Sequence, residues 1–219
     1  VNDLTGETVY TPPQDQATIL SLMDNLVTYI NDKGIHEVDP LVKMAVIHFQ
    51  FESIHPFYDG NGRTGRIINI LYLIMNGLLE NPILFLSSYI IDNKSDYYKL
   101  LQEVRTKNNW ENWILFILKG IESTANETIA QVNTISKLFD QTKEIVQKKT
   151  PKIYSKELIE LLFEQPYCKS EYVENRLAIS RITASKYLKE LERAQILKSK
   201  KVWKETLYIN TSLFEFLKK

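Results

Sequence analysis

The first two thirds of the chain repeats apolar residues at the three- and four-residue spacing of amphipathic helices. Within Asp15–Asn31, for example, Ile19, Leu22, Leu26 and Ile30 fall on one helical face. The same spacing continues between breaks at proline, glycine and asparagine. It predicts five helices, at Asp15–Asn31, Asp39–Ser53, Asn61–Asn76, Asn93–Arg105 and Trp110–Lys148.

Local signals sharpen two of these boundaries. Asp39 followed by Pro40 is typical of a helix start, because aspartate caps free N–H groups and proline fits the first turn. Asn76-Gly77 is typical of a helix end. Between the second and third helices the pattern breaks at His55–Gly60. We therefore expect two helices joined by a short loop.

The pattern changes after Thr150-Pro151, which we take as a domain boundary between residues 1–149 and 150–219. Beyond it, short helices are expected behind serine caps, and two short strands flank a charged tip. These features predict a small α+β winged helix-turn-helix domain. The caps are Ser155, Ser170 and Ser180, the third helix is Arg181–Ala194, and the strands Ile196–Lys198 and Thr206–Ile209 flank the tip Lys200–Lys204.

Composition and charge narrow the class of protein. Hydrophobic residues make up 44% and charged residues 25%, which is ordinary for a globular protein and excludes a disordered one. No apolar run approaches the ~20 residues of a membrane span, and no signal peptide precedes the first element. Cys168 is the single cysteine, so no internal disulfide can form. We expect a cytoplasmic protein that does not contact a membrane.

Chemistry-bearing residues concentrate in the loop and the start of the third helix. Gly60 and Gly62 let the backbone approach a ligand, and the helix N-terminus offers unpaired N–H groups to an anion. Arg63 and Arg66 lie three residues apart, on one face beside that terminus. Together these residues predict a phosphate-binding site with two guanidinium groups.

Three other side chains of the loop complete the hypothesis. Asp59 suits Mg²⁺ shared with phosphate oxygens. His55, at the other end of the loop, is a natural general base near pH 7. Phe57, between them, is expected to anchor the loop in the core.

This segment resembles the Fic signature, His-x-Phe-x-Asp/Glu-Gly-Asn-Gly-Arg-x-x-Arg, at every fixed position from His55 to Arg66. Segments Leu41–Phe51, Leu84–Ser87 and Trp110–Trp113 also look like parts of that family, and the resemblance covers about 120 residues. It implies a Fic helical bundle that begins with a short β-hairpin flap in residues 1–14. It also implies that residues 110–149 form the last long helix of the bundle and that a winged helix follows.

The resemblance further implies that AMP is transferred from ATP to a Ser, Thr or Tyr hydroxyl of a protein, this protein itself included. His55 would be the catalytic base and Asp59 the Mg²⁺ ligand. Flap residues Thr8, Val9 and Tyr10 would pair with an extended target segment. The residues that would bind ATP are Gly60, Asn61, Gly62, Arg63, Thr64, Gly65, Arg66, Tyr97 and Tyr98.

Some of these residues have a structural alternative. For Tyr97 and Tyr98, packing of a helix face against the core competes with a position beside the adenine, and Arg105 is a further candidate near the nucleotide. His48 lies on the helix before the loop, where we expect a packed, hydrogen-bonded histidine rather than a catalyst.

The family often carries an inhibitory glutamate in the pattern Ser/Thr-x-x-x-Glu-Gly/Asn. The string Ser170–Asn175 matches it, but Ser170 is interpreted as a helix cap and Glu174 as a surface charge. We therefore expect the inhibitory segment upstream of Val1.

Other functions stay open at this point. One alternative is Fic-type transfer of another nucleotide or of phosphate, against which Gly62 argues, because phosphate-transferring relatives replace this part of the loop. A second is a DNA-binding regulator with a nucleotide-sensing Fic domain. Residues 1–149 carry 13 basic and 18 acidic residues, whereas residues 150–219 carry 14 and 9. That difference leaves DNA or a protein as a partner of the C-terminal domain, and a homodimer is also open.

Overall fold

The computed structural model describes residues 10–32 and 38–218, which form a mainly helical protein with one small antiparallel sheet. The chain divides into two compact units, one up to Ile129 and one from Ala130 onward. This division falls inside the last long helix, upstream of the boundary predicted at Thr150-Pro151, which stays a prediction. Within the described residues, no helix has the length and apolar character that crossing a bilayer requires.

The first unit is built from helices packed around a single core. Leu26, Ile47, Phe51, Leu73 and Trp113 are among the buried residues of this core. The helices are α1 (Gln16–Asn31), α2 (Pro40–Ile54), α3 (Asn61–Met75), α4 (Ser87–Asp92), α5 (Lys94–Lys107) and the first part of α6 (Trp110–Lys149), whose residues from Ala130 onward belong to the second unit.

Helix α2 runs through the middle of this core and carries the loop at its end. Asp39 accepts a hydrogen bond from the Leu41 N–H at 2.8 Å, with Pro40 in the first turn, as predicted. The Trp113 indole, fully buried on α6, donates to the Ala45 carbonyl at 2.9 Å. This long-range bond fixes α2 against α6, so the C-terminal end of α2 has a defined position.

The flap predicted for residues 1–14 falls mostly outside the described residues. Thr8 and Val9 are not described, and Tyr10 to Gln14 have no regular secondary structure. Tyr10 is nevertheless held in place, because its hydroxyl donates to the Ser53 carbonyl at 2.8 Å.

The second unit has the topology of a winged helix. Strand β3 (Glu205–Asn210) is central, between β1 (Tyr167–Cys168) and β2 (Leu197–Val202), and both of its neighbours are antiparallel to it. Its core contains Leu158, Leu162, Leu188 and Leu191, and also Val146 from the end of α6. The elements after α6 are α7 (Lys156–Glu164), β1 (Tyr167–Cys168), α8 (Ser170–Leu177), α9 (Arg181–Arg193), β2 (Leu197–Val202), β3 (Glu205–Asn210) and α10 (Thr211–Leu217).

Two of the three predicted serine caps are confirmed, and the third is wrong. Ser155 accepts from the Leu158 N–H at 3.1 Å, and Ser180 accepts from the Thr183 N–H at 3.2 Å. Ser170, by contrast, is the first residue of α8, and Lys169 occupies the cap position without a side-chain hydrogen bond. The Ser170 hydroxyl instead lies 3.5 Å from that of Ser185. The interpretation of Ser170 as a cap fails because its side chain turns towards α9.

The wing is longer than predicted. Pairing continues to Val202 opposite Glu205, so Lys200–Val202 belong to a strand and the turn consists of Trp203 and Lys204 alone. Strand β1, α4 and α10 were not predicted, since each is too short to show a periodic pattern.

Candidate active site

The loop begins where α2 ends, at a residue with an unusual backbone. His55 is the C-cap of α2 with a φ of 52°, and its N–H donates to the Phe51 carbonyl at 3.0 Å. A non-glycine residue in this left-handed region is uncommon and marks local strain. The His55 side chain is exposed. The chain therefore turns sharply at His55 and leaves the imidazole accessible to a substrate.

Asn61 holds the loop in shape. Its Oδ1 accepts from the Phe57 N–H at 2.9 Å, and its Nδ2 donates to the Phe57 carbonyl at 2.6 Å. The side chain is almost fully buried, with 2% exposed. Both ends of the amide are occupied by the backbone of one residue, so the loop is closed by its own sequence.

The prediction that Phe57 anchors the loop in the core is wrong. Phe57 is half exposed, and its ring centroid lies 6.4 Å from that of Phe51. The anchor is polar rather than apolar, because the buried Asn61 amide binds the backbone of Phe57 and leaves its ring at the surface.

The N-terminus of α3 is open beneath this loop. Gly60 is the N-cap with a φ of 84°, and no side chain caps the first turn. The first intrahelical bond of the turn runs from the Thr64 N–H to the Gly60 carbonyl at 2.9 Å. The N–H groups of Asn61, Gly62 and Arg63 precede it, so they have no carbonyl partner within the helix. This terminus is suited to bind an anion.

Asp59 and Arg63 stand at the edge of that terminus. Asp59 accepts from the Gly60 N–H at 2.6 Å and from Arg63 Nη2 at 3.0 Å. Both side chains are well exposed, at 91% for Asp59 and 72% for Arg63. An exposed ion pair is worth little, so both groups can turn towards a ligand without a large cost.

Gly62 lies against two charged side chains. A methyl group on Gly62 would be 3.2 Å from Arg66 Nη1 and 3.8 Å from Glu52 Oε1. Arg66 and Glu52 therefore converge behind the first turn of α3. Any side chain at position 62 would press on the Arg66 guanidinium.

Glu52 is a buried carboxylate that the sequence did not single out. Its Oε1 atom is shielded from solvent and has no hydrogen-bond partner among the described residues. Burial raises the pKa of Glu52, whereas the positive charges of Arg66 and Arg105 act in the opposite direction. Its sequence signal was weak, since a glutamate in a helix is usually exposed. Only the fold brings it next to two arginines.

A buried polar network lies below Gly65. Helix α3 approaches α2 so closely that a methyl group on Gly65 would be 2.8 Å from Glu52 Oε1 and 3.4 Å from His48 Nδ1. The Asn69 Nδ2 atom lies 3.1 Å from His48 Nδ1, and the Tyr97 hydroxyl lies 3.0 Å from His48 Nε2. Since an amide nitrogen can only donate, Nδ1 accepts and Nε2 carries the proton of a neutral imidazole.

His48 is a packed, hydrogen-bonded residue, as expected. It is fully buried and stacks on Trp113 at a centroid distance of 6.0 Å. Burial first, and then the charge of Arg66, lower the pKa of His48 to about 4. The ring stays neutral near pH 7 and supports α3 from below.

The two tyrosines proposed for the nucleotide occupy different environments. Tyr97 is buried, with its ring centroid 5.5 Å from that of Trp113, so it forms part of the core. Tyr98 is 58% exposed, and Lys94 lies 5.9 Å above its ring. Of the two, only Tyr98 is exposed enough to contact a ligand.

Arg105 connects α5 to the start of the described chain. Its guanidinium stacks over the Tyr10 ring at 3.7 Å, and its Nη2 donates to Ser53 Oγ at 3.1 Å. Tyr10 and Ser53 also line a cavity of about 340 Å³, together with Arg105. The end of the predicted flap is thus attached next to the C-terminal end of α2, beside His55.

The structure brings most of the predicted site residues together. Thr64 donates its hydroxyl to the Gly60 carbonyl at 3.1 Å, so it supports the turn. Asp59 is the carboxylate of the loop, and within the described residues no group of three or more metal-ligating side chains occurs. One exposed carboxylate is the donor set that suits Mg²⁺ bound mainly to phosphate oxygens and water.

Comparisons with known proteins agree with this geometry. Residues 2–73 match the family described as Fic/DOC family, and residues 138–213 match the one described as protein adenylyltransferase SoFic-like, C-terminal domain. The helical unit that carries the loop therefore contains a Fic/DOC domain. The chain as a whole joins this domain to a SoFic-like C-terminal domain.

Curated relatives carry the same type of name. Protein adenylyltransferase fic-1 of Caenorhabditis elegans is 27% identical over 127 residues, which cover 58% of this chain and 23% of that protein. The probable protein adenylyltransferase aq_aa38 of Aquifex aeolicus is 40% identical over 72 residues, covering 32% and 21%. The chain thus spans less than a quarter of the length of these relatives.

A solved structure shares the fold. A Fic family protein from Desulfovibrio desulfuricans G20 superposes with a TM-score of 0.50 and 20% identity. The match covers 93% of this chain and 58% of that one. It supports the predicted fold class, a helical Fic bundle followed by a small α+β domain.

Proposed function

We propose that this chain is a protein adenylyltransferase that transfers AMP from ATP to a Ser, Thr or Tyr hydroxyl of a protein. The observation that carries the proposal is the pairing of an exposed histidine with an uncapped helix N-terminus at opposite ends of one closed loop. The names of the relatives point to the same reaction. No other part of the described chain combines a base with an anion site of this kind.

His55 acts as the general base in this proposal. Its imidazole accepts the proton of the target hydroxyl, and the hydroxyl oxygen forms a bond to the α-phosphorus of ATP. The bond between that phosphorus and the oxygen bridging to the β-phosphate breaks, and pyrophosphate leaves. His55 suits this role because it is exposed and placed by the backbone rather than by contacts of its ring.

The start of α3 binds the phosphates. The free N–H groups of Asn61, Gly62 and Arg63 bind phosphate oxygens, and Gly62 leaves room for their approach. Arg63 neutralises charge at the edge, and Arg66 reaches the γ-phosphate from behind Gly62. Asp59 would hold Mg²⁺ with phosphate oxygens, where the ion stabilises negative charge.

Two further roles follow from the surroundings of the loop. Tyr98 offers an exposed ring to the adenine, while Tyr97 keeps His48 and α2 in place. Tyr10, together with Thr8 and Val9, lies in the chain that would pair with the target. The hydrogen bond from its hydroxyl to the Ser53 carbonyl keeps Tyr10 at the C-terminal end of α2, where His55 lies.

Two alternatives make different predictions. Transfer of phosphate or of another nucleotide would use the same loop and the same base, so the mass of the transferred group separates it from AMP transfer. A nucleotide sensor without transferase activity would need no exposed base at position 55. The exposed side chain of His55 favours a transferase over a sensor, and the names of the relatives favour AMP as the transferred group.

Mass spectrometry of the chain incubated with Mg-ATP and with lysate proteins tests the proposal. We expect mass increases that correspond to AMP, on the chain itself or on other proteins, and release of pyrophosphate. Asp59→Ala should weaken Mg²⁺-dependent turnover. Gly62→Leu should block ATP binding, because the new side chain would displace Arg66. A mass increase that corresponds to phosphate, or none in any sample, would contradict AMP transfer.

A further inference from the structure

The exposed face of α9 is basic. The exposed residues of this helix are Arg181, Ile182, Lys186, Lys189 and Arg193. Ile182, Lys186, Lys189 and Arg193 follow one another at intervals of four, three and four residues, so they form one stripe along the helix. The opposite side, with Ala184, Leu188 and Leu191, is buried in the core of the second unit.

The acidic residues of α9 do not oppose this stripe. Glu190 and Glu192 are both partly buried rather than exposed. Glu192 Oε1 accepts from the Ser199 N–H at 2.8 Å, and hydrogen bonding to Ser199, first through its side chain and then through its N–H, lowers the pKa of Glu192. Glu192 is therefore a charged group committed to the link between α9 and β2. The helix, described along its whole length, presents no fully exposed acid.

The wing adds positive charge and one aromatic ring. Lys198, Lys200, Lys201 and Lys204 are all exposed. Lysines on an edge strand also prevent pairing with other sheets, so they are weaker evidence for a binding surface than the basic residues of α9 are. Trp203 is more telling, because it is 95% exposed at the turn and has a φ of 54°. A bulky residue is an outlier in this backbone region, and the ring of Trp203 is free to contact a ligand at the tip of the wing.

We propose that α9 and the wing bind double-stranded DNA, a function separate from AMP transfer. A helix of about 10–12 Å diameter fits the major groove, which is about 12 Å wide. In this arrangement Lys186, Lys189 and Arg193 contact the phosphates on either side, and Ile182 lies towards the bases. Trp203 and the wing lysines bind the adjacent backbone. The order α7-β1-α8-α9-β2-β3 places α9 where winged-helix proteins carry their recognition helix.

The phosphate contacts give the proposal a quantitative test. Each phosphate that a lysine neutralises contributes about 0.9 to the slope of log affinity against log salt. Fluorescence anisotropy of a labelled duplex of mixed sequence, titrated with the whole chain between about 50 and 200 mM NaCl, measures this slope. The double variant Lys186→Gln, Lys189→Gln should lower the slope by about 2 and the affinity by at least about tenfold.

A matched control removes the same charge elsewhere on the second unit. Lys143 and Lys148 are exposed on α6, so Lys143→Gln, Lys148→Gln should leave the slope almost unchanged. Tryptophan emission gives an independent readout, because Trp113 is buried and Trp203 is the one tryptophan of the second unit. Emission should change on adding the duplex, and Trp203→Phe should abolish that change.

Three outcomes would overturn the proposal. The first is an anisotropy that does not rise at low salt. The second is an equal loss of affinity in the two double variants, which would show binding through net charge alone. The third is α9-dependent binding to vesicles containing phosphatidylserine without binding to the duplex, which would assign the stripe to a membrane surface.

Discussion

The two units of this protein differ in how many polar side chains they bury. The core of the second unit is formed almost entirely by apolar side chains, and its charges lie on the surface. The first unit buries His48, Asn69 and the Glu52 carboxylate beneath its loop. All of the buried polar side-chain atoms without a partner, among the described residues, belong to this first unit.

The unpartnered polar groups of the first unit point to the region of the site even without the loop motif. Burying a polar group without a hydrogen bond costs about 1–3 kcal/mol, so a domain built only for stability avoids it. The second unit follows that rule. The first accepts the cost at Glu52 and Asn69, which lie below the proposed phosphate site, and also at Gln102, Arg105 and Thr124.

The largest expected effect is a loss of AMP transfer with almost no loss of stability in the first unit. His55→Ala should reduce AMP incorporation by about 10²–10⁴-fold, because the general base is lost. Its thermal unfolding should change little, since the His55 side chain is exposed. Quantitative mass spectrometry and calorimetry with Mg-ATP measure transfer and binding separately.

The nucleotide affinity of His55→Ala serves as the internal control. Binding should stay close to that of the parent chain, since the anion site begins at Gly60. Near-normal incorporation in this variant would show that another group accepts the proton.

The second prediction concerns pH, because only the first unit contains histidine. The pKa of His48 is lowered to about 4 in the folded protein, from an ordinary value of 6.5. The unfolded chain therefore binds the extra proton between these values. The stability that neutral His48 contributes is complete above pH 6.5 and is lost as the pH falls to about 4, by roughly 3 kcal/mol.

Urea unfolding followed by tryptophan emission at several pH values measures this loss. His48→Gln cannot be protonated in this range, so the free energy of unfolding of the first unit should depend less on pH than in the parent chain. Identical pH dependence in the two proteins would contradict a neutral, buried His48.

A pair of asparagines offers a matched comparison between the units. Asn61 and Asn210 are each 2% exposed, and each makes two side-chain hydrogen bonds to the backbone. Replacing either with alanine should lower the free energy of unfolding by about 2 kcal/mol. Only Asn61→Ala should also reduce AMP transfer, because the loop then loses its closure.

Thermal unfolding and AMP incorporation, measured on both variants, decide the outcome. If Asn210→Ala reduced transfer as much as Asn61→Ala did, activity would follow stability alone. The proposed separation between the two units would then fail.

The smallest predicted effect concerns Glu52, whose replacement by glutamine should raise stability but weaken activity. Glu52→Gln keeps the shape of the side chain and removes its charge, so the KM for ATP should rise about tenfold as Arg66 loses a charged neighbour. Burial raises the pKa of Glu52, which means that the folded state disfavours the carboxylate. Stability above that pKa should therefore increase in the variant.

Steady-state kinetics and urea unfolding near pH 8 check both parts. Glu52→Asp, which keeps the charge, should retain a KM nearer to that of the parent chain. A variant whose KM is unchanged would mean that Glu52 does not position Arg66.

Features that depend on neighbouring residues could be predicted from the sequence. The caps at Asp39, Ser155 and Ser180 are examples, because each binds an N–H two or three residues away. The loop motif was equally visible, since its residues are consecutive. Ser170 failed because a serine close to Ser185 in space has a partner that local spacing does not reveal.

Features that depend on distant contacts could not be predicted. The exposure of Phe57 and the role of Asn61 follow from a hydrogen-bonding geometry that a motif does not contain. The burial of Tyr97 depends on Trp113 and His48, which are far from it in sequence. The position of Glu52 beside Arg66 depends on how closely α3 approaches α2 at Gly65.

The two hydrogen bonds between the Asn61 side chain and the backbone of Phe57 also bear on the kinetics of nucleotide capture. A loop that is closed before the ligand arrives has little conformational entropy left to lose, so binding need not wait for a folding step. Association should then proceed in a single phase whose rate increases linearly with ATP concentration. The loop therefore acquires its shape during folding and not during nucleotide binding.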